Sequence, residues 1–272
     1  MEKLQAALEK ARKTRTGQGA MVPARHQLQA RPAETVPETD ALWQALAPFE
    51  VDERRLIDHL VVTREAGAAA TPFDILRTKV LLQMRQNGWK RLAITSPMPG
   101  SGKTTIACNL ALGLGRQRDL RSILLDLDLR DPSVHRFFET EPPHGIGEVL
   151  TGAVPFARNA LRYGDNVALS MARHPETDPT RLLLAEDTVD MLDAIEAAYK
   201  PDVMIFDLPS VLVNDDTRAF LKNADCALIV IRAEDTRFAQ FDTCEREIAE
   251  HTNVLGVVLN AYRYGDSPRE AN

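Results

Sequence analysis

The sequence predicts a doubly wound α/β domain, a mostly parallel sheet covered by helices on both faces. Three observations carry that expectation. Five short runs rich in Val, Ile and Leu, "RLAIT" (91–95), "RSILLDLD" (121–128), "DVMIFD" (202–207), "CALIVIR" (226–232) and "VLGVVLN" (254–260), alternate with helical segments. Runs that are apolar throughout belong to strands buried on both faces, as parallel strands are. The glycine-containing stretch "TSPMPGSGKTT" joins the first run to the helical "IACNLALGLG", and two later runs end in carboxylates.

The N-terminal residues form an extension to this domain. Leu4, Ala7, Leu8 and Ala11 have helical spacing, so residues 1–14 are expected to form an amphipathic helix. Residues 15–39 mix Pro, Gly, Gln and charge without periodicity and read as a disordered linker. The domain then runs over 40–272, with its core at 73–260. Within it "RRLIDHLVVT" (54–63) suggests a short strand, followed by the loop "REAGAAA". Thr71 reads as an N-cap with Pro72 at the first helical position and Asp74 in the first turn, and the helix should run to about Gln86. Further helices are expected from Lys103 to about Arg116, around 145, and over 180–199.

Composition narrows the function. The 272 residues contain 33 Lys+Arg and 39 Asp+Glu, a net charge of −6, without a long basic run, so nothing indicates a nucleic-acid partner. No stretch approaches the roughly 18 apolar residues of a membrane span, and the charged start does not resemble a signal peptide. Cys108, Cys226 and Cys244 lack any paired spacing for zinc or disulfides, which fits a reducing cytoplasm.

The loop after "RLAIT" is suited to a phosphate chain. A strand-to-helix loop aims backbone N–H groups at whatever lies above the helix N-terminus, where the dipole favours anions. Pro99, Gly100, Ser101 and Gly102 form this loop, and the two glycines let it fold tightly around phosphate oxygens. Lys103 supplies charge for the β/γ-phosphates, the Thr104 hydroxyl is the expected Mg2+ ligand, and Thr105 is placed for the α-phosphate region. Pro97 stands where the strict motif has its first glycine. Asp126 and Asp128, two apart on an extended strand end, project to one side, where they can hold hydrated Mg2+ or divide metal orientation and proton acceptance between them. Asp207 ends "VMIFD" and is the natural carboxylate to contact the metal, directly or through its water, from a neighbouring strand.

In this order and spacing, "SPMPGSGKTT", "ILLDLDLRDPSVH", "GIGEVL" and "VMIFDLPSVL" resemble the bacterial tyrosine kinases of the CpsD/CapB type, cytoplasmic kinase domains of capsule and exopolysaccharide systems. The resemblance runs from about Phe73 to Asn260 and implies a P-loop NTPase related to MinD and ParA. It implies that Lys103 and Thr104 form the Walker A site for ATP and Mg2+. By the same resemblance Asp126 and Asp128 form a second acidic motif, with Asp128 activating a tyrosine hydroxyl, and Asp207 is the Walker B carboxylate. Arg130 would support the phosphates or the neighbouring loop, and Asn260 would contact the base. A membrane-embedded chain-length regulator is the implied partner, holding the protein at the inner membrane.

The chain departs from that family in three places. Thr71, Asp74 and Arg77 stand where the family has a Glu-x-x-Arg-x-x-Arg motif used for ring assembly, so homo-oligomerisation of the usual kind loses two of three determinants. Only Tyr262 and Tyr264 follow Asn260 in place of a tyrosine cluster, and Ser210 replaces the second proline of the usual D-x-P-P run. The altered ring motif and the missing tyrosine cluster support an alternative, an ATP-binding and hydrolysing regulatory switch without kinase activity; the change at Ser210 is minor. A third reading, a positioning ATPase of the MinD/ParA kind, lacks its signature lysine, where this chain has Met98.

Overall fold

The described residues of the computed structural model are 37–262; the expected amphipathic helix at 1–14, most of the linker and Tyr264 lie outside them. Eight strands make one sheet: β1 (Ala47–Pro48), β2 (Arg91–Thr95), β3 (Ser122–Asp126), β4 (Leu161–Tyr163), β5 (Val167–Ser170), β6 (Val203–Asp207), β7 (Cys226–Arg232) and β8 (Asn253–Asn260). Their spatial order is β1-β4-β5-β3-β6-β2-β7-β8, and every neighbouring pair is parallel except β4 with β5. All five apolar runs are strands of this sheet. From β2 the chain crosses to β3 on one side of β6, and from β6 it crosses over β2 to β7 on the other. Ligands bind where such connections diverge, outside the carboxyl ends of the strands.

Two apolar layers flank the sheet. One contains Ile123, Leu125, Met204, Phe206 and Ile229 beneath Leu192 and Ile195 of the helix Glu186–Tyr199. The other contains Leu92, Ile94, Leu124, Ile205 and Leu228 beneath Ile106, Leu110 and Leu114 of the helix Lys103–Gly115. Alternate residues of one strand enter opposite layers, so the continuous apolar runs are accounted for.

Three local expectations are corrected. The segment read as a strand at 54–63 is instead the helix Glu53–Asp58, because the Asp52 side chain accepts from the Arg54 amide (2.9 Å) and caps it. His59 and Leu60 then turn the chain, Leu60 with a left-handed φ of +58°, and Val62 gives its amide to the Asn109 side chain (2.9 Å) and not to a strand. Thr71 is not an N-cap: the helix Thr71–Asn87 has Ala70 at its cap and Pro72 at the second helical position. A preceding turn already satisfies the Thr71 amide and hydroxyl through Gly67 O, which leaves no capping role for the side chain. The helix Pro37–Ala45 takes in the last three residues of the segment read as a linker. Its Trp43 is 1% exposed, donates Nε1 to Tyr199 O at 2.7 Å, and lies edge-on to the Tyr199 ring.

Strands β1, β4 and β5 were not among the five runs. Among the described residues no helix is long and apolar enough to cross a membrane. The three cysteines are buried free thiols.

Candidate functional site

The site is assembled at the carboxyl ends of β2, β3, β6, β7 and β8. After Thr95 the chain turns through Gly100 (φ +77°) and Gly102 (φ +90°) before entering the helix at Lys103. Both angles lie in the left-handed region, where a side chain is strained. At Gly102 space forbids one as well, since a Cβ would sit 2.2 Å from Asn260 Nδ2. That amide donates to Ser101 O (2.9 Å), so the end of β8 is fastened to the loop. The loop is also braced from within, where Ser96 and Ser101 hydroxyls donate to Met98 O (2.8 and 2.9 Å).

Around a cavity of about 700 Å³ the structure brings together Pro99, Gly100, Gly102, Lys103, Thr104, Thr105, Asp128 and Asn260. Lys103 donates Nζ to Ser210 Oγ (3.2 Å), and Thr104 shares a hydroxyl hydrogen bond with Ser133 (3.0 Å). Ser101 is buried within the loop. Leu125, Leu127 and Leu129 all enter one apolar layer, which turns the intervening Asp126 and Asp128 to the opposite side, as their spacing requires.

Asp126 and Asp207 face each other in register on β3 and β6, both fully buried. One oxygen of Asp126 accepts from the Ser133 and Val134 amides (3.2 and 3.1 Å), whereas its other oxygen and both oxygens of Asp207 have no hydrogen-bond partner. Burial pushes Asp207 from 3.8 up to about 7. The Thr104 hydroxyl and Lys103 lie near enough to oppose that rise, but Thr104 is directed to Ser133. Burial, then the Asp207 charge, pushes Asp126 well above the usual carboxylate range. Asp128 is half-buried and also raised, by burial first, with Lys103 opposing. Three carboxylate oxygens are thus buried beside a lysine and a threonine without a hydrogen-bond partner, an arrangement in which the charged forms are left uncompensated.

Arg130 is turned away from the cavity. It makes a bidentate ion pair with the buried Asp216 (2.6 and 3.0 Å), so it contacts a neighbouring segment. Sequence reasoning missed Arg232, which ends β7, lines the cavity and donates Nη1 to Gly100 O (2.9 Å). Its signal was available, because it ends an apolar run as the carboxylates do. It also missed the apolar wall of Leu60, Val62, Phe73 and Phe137, none of which belongs to a quoted motif.

The family described as the CobQ/CobB/MinD/ParA nucleotide binding domain matches residues 92–271. The tyrosine-protein kinase YwqD of Bacillus subtilis is 27% identical over 203 residues, 74% of this chain and 84% of YwqD. EpsB of Ralstonia nicotianae is 30% identical over 207 residues, 71% of this chain, and the chain spans only 26% of the length of EpsB. Among solved structures, the kinase domain of the Escherichia coli tyrosine kinase ETK superposes with a TM-score of 0.67 at 25% identity, covering 76% of this chain and 84% of that domain. A MinD protein from Pyrococcus horikoshii, at 18% identity, 65% and 72% coverage and a TM-score of 0.54, shares the fold.

Proposed function

Because the chain belongs to the CobQ/CobB/MinD/ParA nucleotide-binding family, we propose that it is a Mg-ATP-dependent enzyme of the protein-tyrosine kinase type, serving capsule or exopolysaccharide polymerisation and export. One observation carries the chemistry: Asp128 faces the cavity that also holds Lys103 and Thr104, next to the apolar wall of Phe73 and Phe137. Likeness to YwqD over most of that kinase's length supports the same reading.

The residues fit Mg2+. Asp126 and Asp207 are a buried, uncompensated carboxylate pair, and the Thr104 hydroxyl lies beside Asp207. That suits an ion that dehydrates reluctantly and shares one or two carboxylates with phosphate oxygens. When bound, Mg2+ neutralises charge on the β- and γ-phosphates.

The chain's own groups then divide the work. Backbone amides of 99–105 and the helix N-terminus hold the phosphates, while Lys103 exchanges Ser210 for a phosphate oxygen. Arg232 and Asn260 keep the loop in its tight form. Asp128 accepts the phenolic proton as the tyrosine oxygen bonds the γ-phosphorus and the bond to ADP breaks. Its raised proton affinity, with the opposing Lys103 beside it, suits that exchange. A membrane-embedded regulator would hold the protein at the inner membrane.

The second reading, a regulatory switch that binds and hydrolyses ATP, is favoured by one contact. Arg77, the residue left of the ring motif, donates to Gly113 O (2.8 Å) and pairs with Asp74 (2.9 Å), so it is turned into its own chain. The test is incubation of the full chain with labelled ATP and the regulator's cytoplasmic tail, reading phosphotyrosine and free phosphate on one sample, with Lys103→Met as control. Phosphotyrosine that disappears with Lys103→Met supports the kinase. Phosphate release without phosphotyrosine supports the switch, and activity undiminished in a folded Lys103→Met protein refutes the site.

A further inference from the structure

Asp216, the first residue of the helix Asp216–Leu221, is fully buried, and a buried carboxylate needs a compensating charge. That charge comes from Arg130, whose Nε donates to Oδ2 at 2.6 Å and Nη2 to Oδ1 at 3.0 Å. The hydroxyl of Thr180, on the helix Pro179–Leu184, donates to the same Oδ1. The three groups lie on segments that follow β3, β5 and β6, which are adjacent strands of the sheet. The contact therefore ties together three neighbouring loops at the carboxyl end of the sheet.

Arg130 is two residues beyond Asp128, and the backbone is held on both sides of Asp128. Leu127 gives its amide to Asp207 O (2.9 Å), and Leu129, fully buried, accepts from the Glu176 amide (2.8 Å). Asp128 Oδ1 itself receives only a long bond from the Asp131 amide (3.3 Å). Its direction is thus set by the backbone on either side of it. A bidentate guanidinium fixes that backbone in angle as well as distance, which a lysine cannot do.

We propose that Arg130 and Asp216 form a positioning clamp, holding the loop 127–131 so that Asp128 faces the cavity, and that the clamp serves turnover and not nucleotide binding. This rests on the phosphoryl-transfer reading of the cavity. A shift of about 1 Å in a reacting group can cost about a hundredfold in rate while leaving substrate contacts intact.

The experiment compares the full-length protein with Asp216→Asn and Arg130→Lys. In each, amide hydrogen exchange over 127–133 is measured with and without Mg-ADP, together with ATP-analogue affinity, kcat and KM for ATP. Both variants should exchange faster over 127–133, lose about ten- to a hundredfold in kcat, and keep nucleotide affinity and KM within about threefold. If Asp216→Asn fails to fold, Arg130→Lys decides alone, because Arg130 is half-exposed and its change leaves the core intact. Unchanged exchange overturns the clamp, as does a fall in affinity that matches the fall in kcat, or full activity in Arg130→Lys. Wild-type protein that neither binds nor turns over ATP refutes the reading of the cavity, and the exchange measurement still decides the clamp.

Discussion

Asp207→Asn should make the ligand-free protein more stable above neutral pH while removing its function. In the native state burial raises Asp207 from 3.8 to about 7, so between those values the folded chain binds a proton that the unfolded chain has lost. Stability must then fall as pH rises through that window. A difference of about three pH units corresponds to about 4 kcal/mol lost by pH 8, at about 1.4 kcal/mol per unit. The carboxamide is uncharged and escapes this loss, but its buried amide donors lack partners, which costs about 1–3 kcal/mol. The net expectation at pH 8 is a gain of about 1–3 kcal/mol, or a melting temperature higher by several degrees. Near pH 4.5, where native Asp207 is already protonated, the variant should be equal to or weaker than the parent. Removing the Asp207 charge also relieves Asp126, whose elevation it shares in causing, and flattens the variant's profile further. The assay is thermal and urea unfolding from pH 4.5 to 8.5 in chelator, repeated with Mg-ADP, which should stabilise the parent at pH 8 and not the variant. Parallel pH profiles for the two proteins would refute the claim that Asp207 is held uncompensated.

Two further outcomes follow from contacts already described. Asp128→Asn should lower kcat by at least about a hundredfold with ATP affinity nearly unchanged, since only the transition state needs the proton acceptor; an equal loss of both would make it a structural ligand. Trp43→Ala should cost about 3–5 kcal/mol in urea unfolding, because a buried indole, its hydrogen bond to Tyr199 O and its contact with Arg121 are lost together. A cost under about 1 kcal/mol would show that residues 37–45 are dispensable to the core.

The part of the fold that was legible in the sequence is the part built from parallel strands with continuous apolar runs, buried in the sheet interior and partly exposed in the edge strand β8, where Val257 and Leu259 face out. Each of those strands is apolar on both faces, so its run stands out without reference to any other. Strand β4 has three residues, all half-buried, and β5 only four, too short for a period to show. The stretch 54–63 has apolar residues at positions compatible with either structure, and a single side-chain cap at Asp52 decided for a helix. In the site, Lys103, Thr104, Asp126, Asp128 and Asp207 were marked by their places at strand ends and in the loop. The partner of Arg130 was not, because Asp216 lies 86 residues away and only the assembled sheet makes the two neighbours. The same holds for Phe73 and Phe137, whose side chains meet the cavity through tertiary packing that has no local pattern.

The strand order also sets a timetable for the newly made chain. β2, which carries the phosphate loop, has as its only neighbours β6 and β7, and about a hundred residues must be added after Thr95 before β6 begins at Val203. At about 5–20 residues per second the ribosome needs roughly 5–20 s to supply them. Throughout that interval Leu92, Ala93 and Ile94 have no sheet to enter, although all three are fully buried in the finished protein. The phosphate loop therefore has no platform on the growing chain, and the strand that carries it is a segment that a chaperone would have to shield.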